Sequence, residues 1–177
     1  VYDPRDGSHR WIRLPAPTWG QAFSSRALPF FLWLARNFDL SDTSGGGNHG
    51  HEIDVGAELT VTFSNTMGGV RGTSHNYYTK SGAGLLRLDG TNTHNLRTYI
   101  TAGALRAVDG VGLSTNSYLS LEGGVLESSG AFSRTLAALP ATTVDGGTQL
   151  RWNTSGGFSA AGGALASFAF LTRSFGL

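Results

Sequence analysis

The 177-residue chain contains no cysteine, which excludes a disulfide framework and any metal site built on thiolates. Charged residues are scarce, at 14% of the chain, and they nearly cancel to a net charge of +1. Lysines and arginines form no run anywhere in the sequence. Because nucleic-acid binders present clustered basic side chains, we expect no nucleic-acid partner.

Long apolar segments are missing as well. The most apolar stretch, residues 27–35, is about half as long as a membrane-spanning helix and contains Pro29. We therefore expect no membrane-spanning segment in this chain. The sequence begins at Val1 without a basic and then apolar leader, so we expect it to be a piece of a longer protein.

Glycine, in contrast, is abundant. The chain has 26 glycines but only 5 prolines, its apolar fraction is 40%, and its glycines follow no strict three-residue period. This composition argues against collagen and against disorder. It favours an all-β fold with many tight turns, where glycine accepts backbone angles that other residues avoid.

A short phrase recurs along the chain, in which a glycine precedes a leucine at the start of a polar-apolar alternation. Its copies are Gly56–Leu59, Gly84–Leu86, Gly103–Leu105, Gly124–Leu126 and Gly147–Leu150. Their glycines are separated by 28, 19, 21 and 23 residues, which is close to the length of one β-solenoid turn. The recurrence predicts stacked coils, since equivalent residues of a solenoid lie directly above one another.

Antiparallel hairpins are the main alternative. The Asp-Gly pairs at 89–90 and 109–110 each fit a two-residue hairpin turn, because glycine accepts the positive φ that such a turn requires. A meander of hairpins, however, does not require the same phrase to recur. Segments 59–63 and 150–152 alternate apolar and polar residues, which is typical of strands with one buried face.

Two consecutive runs identify a family resemblance. Residues 79–93, TKSGAGLLRLDGTNT, followed by residues 100–108, ITAGALRAV, resemble the autotransporter-associated β-strand repeat. The family usually continues with an aromatic residue and a Gly-Gly-Thr corner, whereas this chain has HNLRT at 94–98. The resemblance covers about residues 38–163 and implies a right-handed parallel β-helix, or β-solenoid.

The two ends of the chain do not follow the phrase. Residues 1–37 are interpreted as an irregular or capping segment, or as sequence that does not belong to the fold. Residues 164–177 form an irregular tail, for which a truncated or frame-shifted end is the alternative. The predicted division is therefore 1–37, the solenoid repeats at 38–163, and 164–177.

The resemblance also implies a function. Members of the family form passenger segments of large bacterial proteins that are associated with the outer membrane at the cell surface or are secreted. We therefore expect a structural or adhesive segment with no catalysis and no cofactor. Its expected partners are adjacent repeats of the parent chain and host or matrix glycans or proteins. A carbohydrate-active or carbohydrate-binding β-helix is the alternative, because fold alone does not decide function.

Candidate metal ligands are confined to His49 and His51. Imidazoles two residues apart on a strand point to the same face, so these two could meet one ion. A structural zinc site normally has four ligands, and no second histidine or cysteine cluster exists to complete one. We therefore expect a polar corner here rather than a metal site.

Other candidate residues concern polysaccharides. Asp89 and Asp109 could lie about 4.8 Å apart on stacked coils, but aspartate in an Asp-Gly pair is better explained by its preference for turns, so no catalytic residue is expected. Tyr77, Tyr78 and Trp152 are candidates for stacking on sugars, with closure of the core as the alternative. The long first step between repeats lies near these tyrosines, and a ligand is first expected there.

Overall fold

The computed structural model describes residues 12–13, 30–34, 38–39, 50–69, 77–137, 149–161 and 168–171. Short segments 12–13, 30–34, 38–39 and 168–171 are described by their strand pairing alone. Strands and turns make up all of the described residues, and every strand pairing among them is parallel. The expected all-β parallel fold is thus confirmed and antiparallel hairpins are excluded for these residues.

The strands form two large sheets and one small one. In spatial order, sheet I contains β1 (Ile12–Arg13), β4 (Gly50–Asp54), β7 (Tyr77–Ser81), β9 (Arg97–Ile100), β11 (Leu119–Leu121), β14 (Gln149–Trp152), β13 (Phe132–Leu136) and β16 (Phe168–Leu171). Sheet II contains β15 (Gly157–Ala160), β12 (Val125–Ser128), β10 (Ala104–Ala107), β8 (Leu85–Leu88), β5 (Leu59–Phe63) and β2 (Phe30–Leu34). The small sheet pairs β3 (Phe38–Asp39) with β6 (Met67–Gly68).

Consecutive strands alternate between the two large sheets. The chain passes from β7 in sheet I to β8 in sheet II, then from β9 to β10 and from β11 to β12, and each strand pairs with its equivalents in neighbouring coils. This arrangement is the predicted β-solenoid. One departure lies in sheet I, where β14 pairs with β11 on one side and with the earlier strand β13 on the other.

The core lies between the two sheets. Sheet II places Val61, Leu86, Leu105 and Leu126 in one register row, all of them nearly or fully buried. The facing row of sheet I includes Leu119 and Leu150. Because side chains alternate between faces, a one-residue slip of any strand would expose its row, so each apolar row fixes the register of its strand.

Stacked glycines mark the corner before the sheet II strands. Those immediately preceding register-matched strand residues are Gly84, Gly103, Gly124 and Gly156. A Cβ atom on Gly103, which has φ of +61°, would lie 2.4 Å from the carbonyl oxygens of Gly82 and Gly84. Glycine is required there both for its positive φ and for the close approach of the neighbouring coil.

The predicted positions of the repeats agree only in part with the observed register of the strands. The assignment of Gly147–Leu150 as the fifth copy was wrong, because Leu150 belongs to β14 and pairs with Leu119 in sheet I. Gly147 itself lies outside the described residues. Gly156 takes the fifth position instead, since Gly157 pairs with Val125. In the first copy, Leu59 aligns with Gly84, and Gly56 does not.

Parts of both ends join the sheets. Strands β1 and β2 fall within 1–37, and β16 falls within 164–177. The other residues of these two segments lie outside the described part of the chain. The predicted division into end segments and solenoid therefore stays a prediction.

Candidate functional site: the outer face of sheet I

Three rows of side chains cover the outer face of sheet I. The register defines them as Gly50, Tyr77, Arg97, Tyr118 and Gln149; Glu52, Thr79, Tyr99, Ser120 and Arg151; and Asp54, Ser81, Thr101, Glu122 and Asn153. Apart from the glycine, every member is polar or aromatic. Sequence reasoning missed most of them, because their common face emerges only once the strands are in register.

Two tyrosines from adjacent coils form an aromatic pair on this face. The rings of Tyr77 and Tyr99 meet edge to face, with centroids 5.3 Å apart and an interplanar angle of 87°. Both residues are half-buried. The predicted candidate Tyr77 thus lies on an outer surface, beside a tyrosine that the sequence did not single out.

Tyr118 is buried within the same face. It is only 4% exposed, yet it does not belong to the hydrophobic core cluster, and its hydroxyl has no hydrogen-bond partner. Burial raises the pKa of Tyr118 to about 12, an effect that the nearby charge of Arg151 partly opposes. The charge of Arg97 also lowers the pKa of Tyr118, whereas that of Glu122 raises it. All three charges therefore lie around this phenol.

Three charged groups of the face, Glu122, Arg151 and Glu52, make hydrogen bonds to neutral neighbours. Glu122 Oε1 accepts from Ser120 Oγ at 2.9 Å and from Asn153 Nδ2 at 3.4 Å. Arg151 Nη2 donates to Asn153 Oδ1 at 2.8 Å. Glu52 accepts a hydrogen bond from the Ser81 hydroxyl. These contacts hold the charged ends in place without neutralising them.

The predicted candidates Tyr78 and Trp152 do not lie on this face. Tyr78 is fully buried in the interior, where its ring packs edge to face on His94 with centroids 5.2 Å apart. Trp152 is 39% exposed, and its register partner Leu121 is a core residue. Its ring contacts Phe158 at 5.6 Å, so it covers the end of the apolar core.

Of the two candidate metal ligands, only His51 lies in the described part of the chain. His51 is half-buried and pairs in register with the interior residue Tyr78, whereas His49 lies outside the described residues. Within the part of the chain that the structure describes, no three histidine, aspartate or glutamate side chains are grouped so that they could hold a metal ion.

Asp89 and Asp109 serve separate ion pairs. Asp89 accepts from Arg87 Nε at 2.7 Å on the exposed surface. Asp109 accepts from Arg134 Nη2 at 2.6 Å, and the arginine side chain is almost completely buried. An acid pair for glycoside chemistry requires one carboxyl group that stays protonated, and a carboxylate held by its own guanidinium is a poor candidate for that role.

A polar interior surrounds this buried arginine. The residues of this polar interior are Tyr78, His94, Thr98, Asp109, Ser117 and Arg134. The Thr98 and Ser117 hydroxyls are 2.6 Å apart, and the Ser117 and Ser114 carbonyls accept from the guanidinium. Burial lowers the pKa of His94 to about 4, against a smaller opposing effect of the Met67 backbone.

Lys80 is a second buried cation. Its Nζ donates to the carbonyl oxygens of Ser81, Gly82 and Ala102, at 2.7, 2.8 and 3.1 Å. These carbonyls belong to the glycine corners of two successive coils. Burial lowers the pKa of Lys80 to about 8, and the neighbouring Asp54 carboxylate partly offsets this effect.

Comparison with known proteins gives no match to this chain, whether with family models, with curated proteins or with solved structures. The resemblance to the autotransporter-associated repeat therefore stays a prediction. Over the described residues, the structure contains no helix with the length and apolar character needed to cross a membrane.

Proposed function

We propose that this chain is a structural segment of a large bacterial surface or secreted protein, in which stacked coils extend the parent molecule and offer adhesive outer surfaces. Its partners are the adjacent repeats of the parent chain and extracellular glycans or proteins. It carries no catalysis of its own. The resemblance noted in the sequence supplies the cellular setting, and the fold supplies the physical argument.

The observation that carries the proposal is the parallel ladder of sheet II. Strands β5, β8, β10, β12 and β15 pair in one continuous register. Each coil covers the apolar row of its neighbour and supplies its backbone partners, so a coil gains its stability from the next one. Such a unit suits a stalk, because further coils lengthen it without changing the contacts already made.

Contacts between coils at the corners support the same function. Asn92 Oδ1 accepts from the Met67 amide at 2.7 Å, while its Nδ2 donates to the Gly112 carbonyl at 2.7 Å. One side chain thereby joins three coils. Leaving either backbone group unpaired in the interior would cost about 1–3 kcal/mol, which makes this asparagine a structural residue.

Two measurements on the purified chain test the proposal. Small-angle X-ray scattering is expected to give an elongated particle whose length increases when adjacent repeats of the parent protein are included and whose cross-section stays constant. Incubation with plant and bacterial polysaccharides is expected to release no reducing ends and no unsaturated products. A compact particle, or steady product release that follows the purified chain, would overturn the proposal.

A further inference from the structure

The outer face of sheet I combines aromatic rings with charged side chains of both signs. Tyr77 pairs in register with Arg97, and Tyr99, whose ring contacts Tyr77, belongs to the same row as Arg151. Phenol rings offer an apolar face and a polar edge, which suits a ligand that has both C–H and O–H groups on its surface. Aromatic and arginine side chains are also enriched where proteins bind partners.

Tyr118 provides an independent indication of a ligand. Its hydroxyl is buried on this face with no hydrogen-bond partner. A buried hydroxyl without a partner is destabilising, and folded proteins retain few such groups. Tyr99 and Arg151 lie close enough to this phenol for their electrostatic effects to reach it. This phenol therefore lies among the aromatic and charged side chains of the face.

The charges restrict the chemistry of the ligand. Glu52, Asp54 and Glu122 oppose Arg97 and Arg151 on the face, so it has no strong net charge of one sign. A sulfated or phosphorylated polymer would meet three carboxylates and is disfavoured. Carboxylates accept from pairs of hydroxyl groups, and guanidinium groups donate to pairs of oxygens. Both patterns match the neighbouring hydroxyl groups of a sugar ring.

The spacing of the coils restricts the shape of the ligand. Neighbouring strands of a sheet lie about 4.8 Å apart, so equivalent side chains of the face repeat at this distance along the stack. One sugar residue of an extended β-linked polysaccharide has nearly the same length. We propose that the outer face of sheet I binds a neutral polysaccharide whose chain runs along the stack of coils, with Tyr77 and Tyr99 against its sugar rings and Arg151 and Glu122 on its hydroxyl groups.

This inference deepens the adhesive part of the proposed function and rests on it, because the parent protein must present the face to extracellular glycans. The site is a binding site and not a catalytic one. Glu122 holds hydrogen bonds from Ser120 and Asn153, which suits a fixed acceptor for sugar hydroxyls.

Isothermal titration of the 177-residue chain with three neutral hexasaccharides, cellohexaose, chitohexaose and mannohexaose, tests the site. Saturable binding of at least one is expected. Tyr99→Ala should weaken it about tenfold, as loss of one ring contact worth roughly 1.4 kcal/mol implies. Arg151→Gln should weaken it by a similar factor, and Tyr99→Phe should retain most of the affinity.

Arg87→Gln is the matched control, because Arg87 lies on the outer face of sheet II and is paired with Asp89. This variant should bind like the parent chain. Circular dichroism of each variant establishes that it is folded, and Arg151→Gln serves as the test if Tyr99→Ala is not. Binding of none of the three hexasaccharides, equal losses in Arg87→Gln and Arg151→Gln, or binding of a heparin hexasaccharide alone would each overturn the inference.

The same samples separate this inference from the proposed function. If no hexasaccharide binds while scattering still gives an elongated particle, the glycan site is refuted and the structural role stands. If a hexasaccharide is cleaved, the proposal of a structural segment without catalysis fails. The affinities of Tyr99→Phe and Arg151→Gln still decide in that case whether this face is the binding surface.

Discussion

The interior of the solenoid has an apolar part and a polar part, and the two are stabilised differently. In the apolar part, Leu86, Leu105 and Leu126 stack in one row with full burial. In the polar part, a buried arginine, a histidine and several hydroxyl groups replace them. The apolar row depends on volume and accepts apolar residues of similar volume. The polar interior depends on the ion pair and hydrogen bonds of Arg134, because a charged group left unpaired there is costly.

The largest expected effect lies in the polar interior. Arg134→Met removes the partner of the Asp109 carboxylate and of two backbone carbonyls, so it should lower the free energy of unfolding by about 3–5 kcal/mol. Urea unfolding followed by circular dichroism measures it. Arg87→Met removes an exposed pair at a comparable distance and should cost about 1 kcal/mol or less. Equal losses in the two variants would contradict the importance of the buried pair.

Within the apolar part, Leu105→Ala should cost about 3 kcal/mol, since it removes buried methyl groups and leaves a cavity between coils. The same urea experiment measures this loss. Leu105→Met, which nearly conserves volume, should cost less than about 1.5 kcal/mol. If the methionine variant were as unstable as the alanine variant, the apolar row would require a specific shape rather than a volume.

The two parts should also differ in their response to acid. His94 has a folded-state pKa of about 4, below the value of about 6.5 in an unfolded chain, so the unfolded state binds its proton first as the pH falls. Stability should decrease between pH 6.5 and 4, on the order of 2 kcal/mol from this residue. The difference in unfolding free energy between the parent chain and His94→Phe, measured across this range, isolates it. A constant difference would contradict the prediction.

The smallest effect is expected from Lys80, at the corner between coils. Its folded-state pKa of about 8 lies below the value of 10.5 for a free lysine, so the unfolded state holds the extra proton between these values. Stability should rise from pH 8 to 10, by on the order of 1 kcal/mol. Above pH 10 the buried phenols of Tyr78 and Tyr118, whose pKa values are raised, act in the opposite direction.

Lys80→Met provides the control for that pH dependence. The variant should be less stable than the parent chain at every pH, because three carbonyl groups lose their donor. Its unfolding free energy should not rise between pH 8 and 10. A rise equal to that of the parent chain would assign the effect to another group.

The sequence predicted the apolar part better than the polar part. Glycine spacing and alternation suffice to place Leu86 and Leu105 in equivalent positions, since both signals are local. The position of Leu150 was assigned to the wrong sheet, because the longer connection before it contains β13. The ion pair of Arg134 with Asp109 joins residues from different coils, and no local pattern indicates it.

The candidate site could likewise be predicted only in part from the sequence. Tyr77 was found from its type alone, whereas Tyr99, Tyr118 and Arg151 share a face with it only through the register of successive strands. Tyr78 shows the opposite case, since it follows Tyr77 directly and lies in the interior. In a strand, one position decides whether a tyrosine contributes to a surface or to the core.

Spatial and sequential order differ at β14, and this restricts how the solenoid can be assembled from its N-terminal side. A chain that adds one coil at a time can extend sheet I in order as far as β11. The next sheet I strand to emerge, β13, has no place beside β11 in the final sheet, because β14 occupies that position. Residues from both strands must therefore be present before either is fixed, and strand-by-strand growth gives way here to the joint docking of a longer segment.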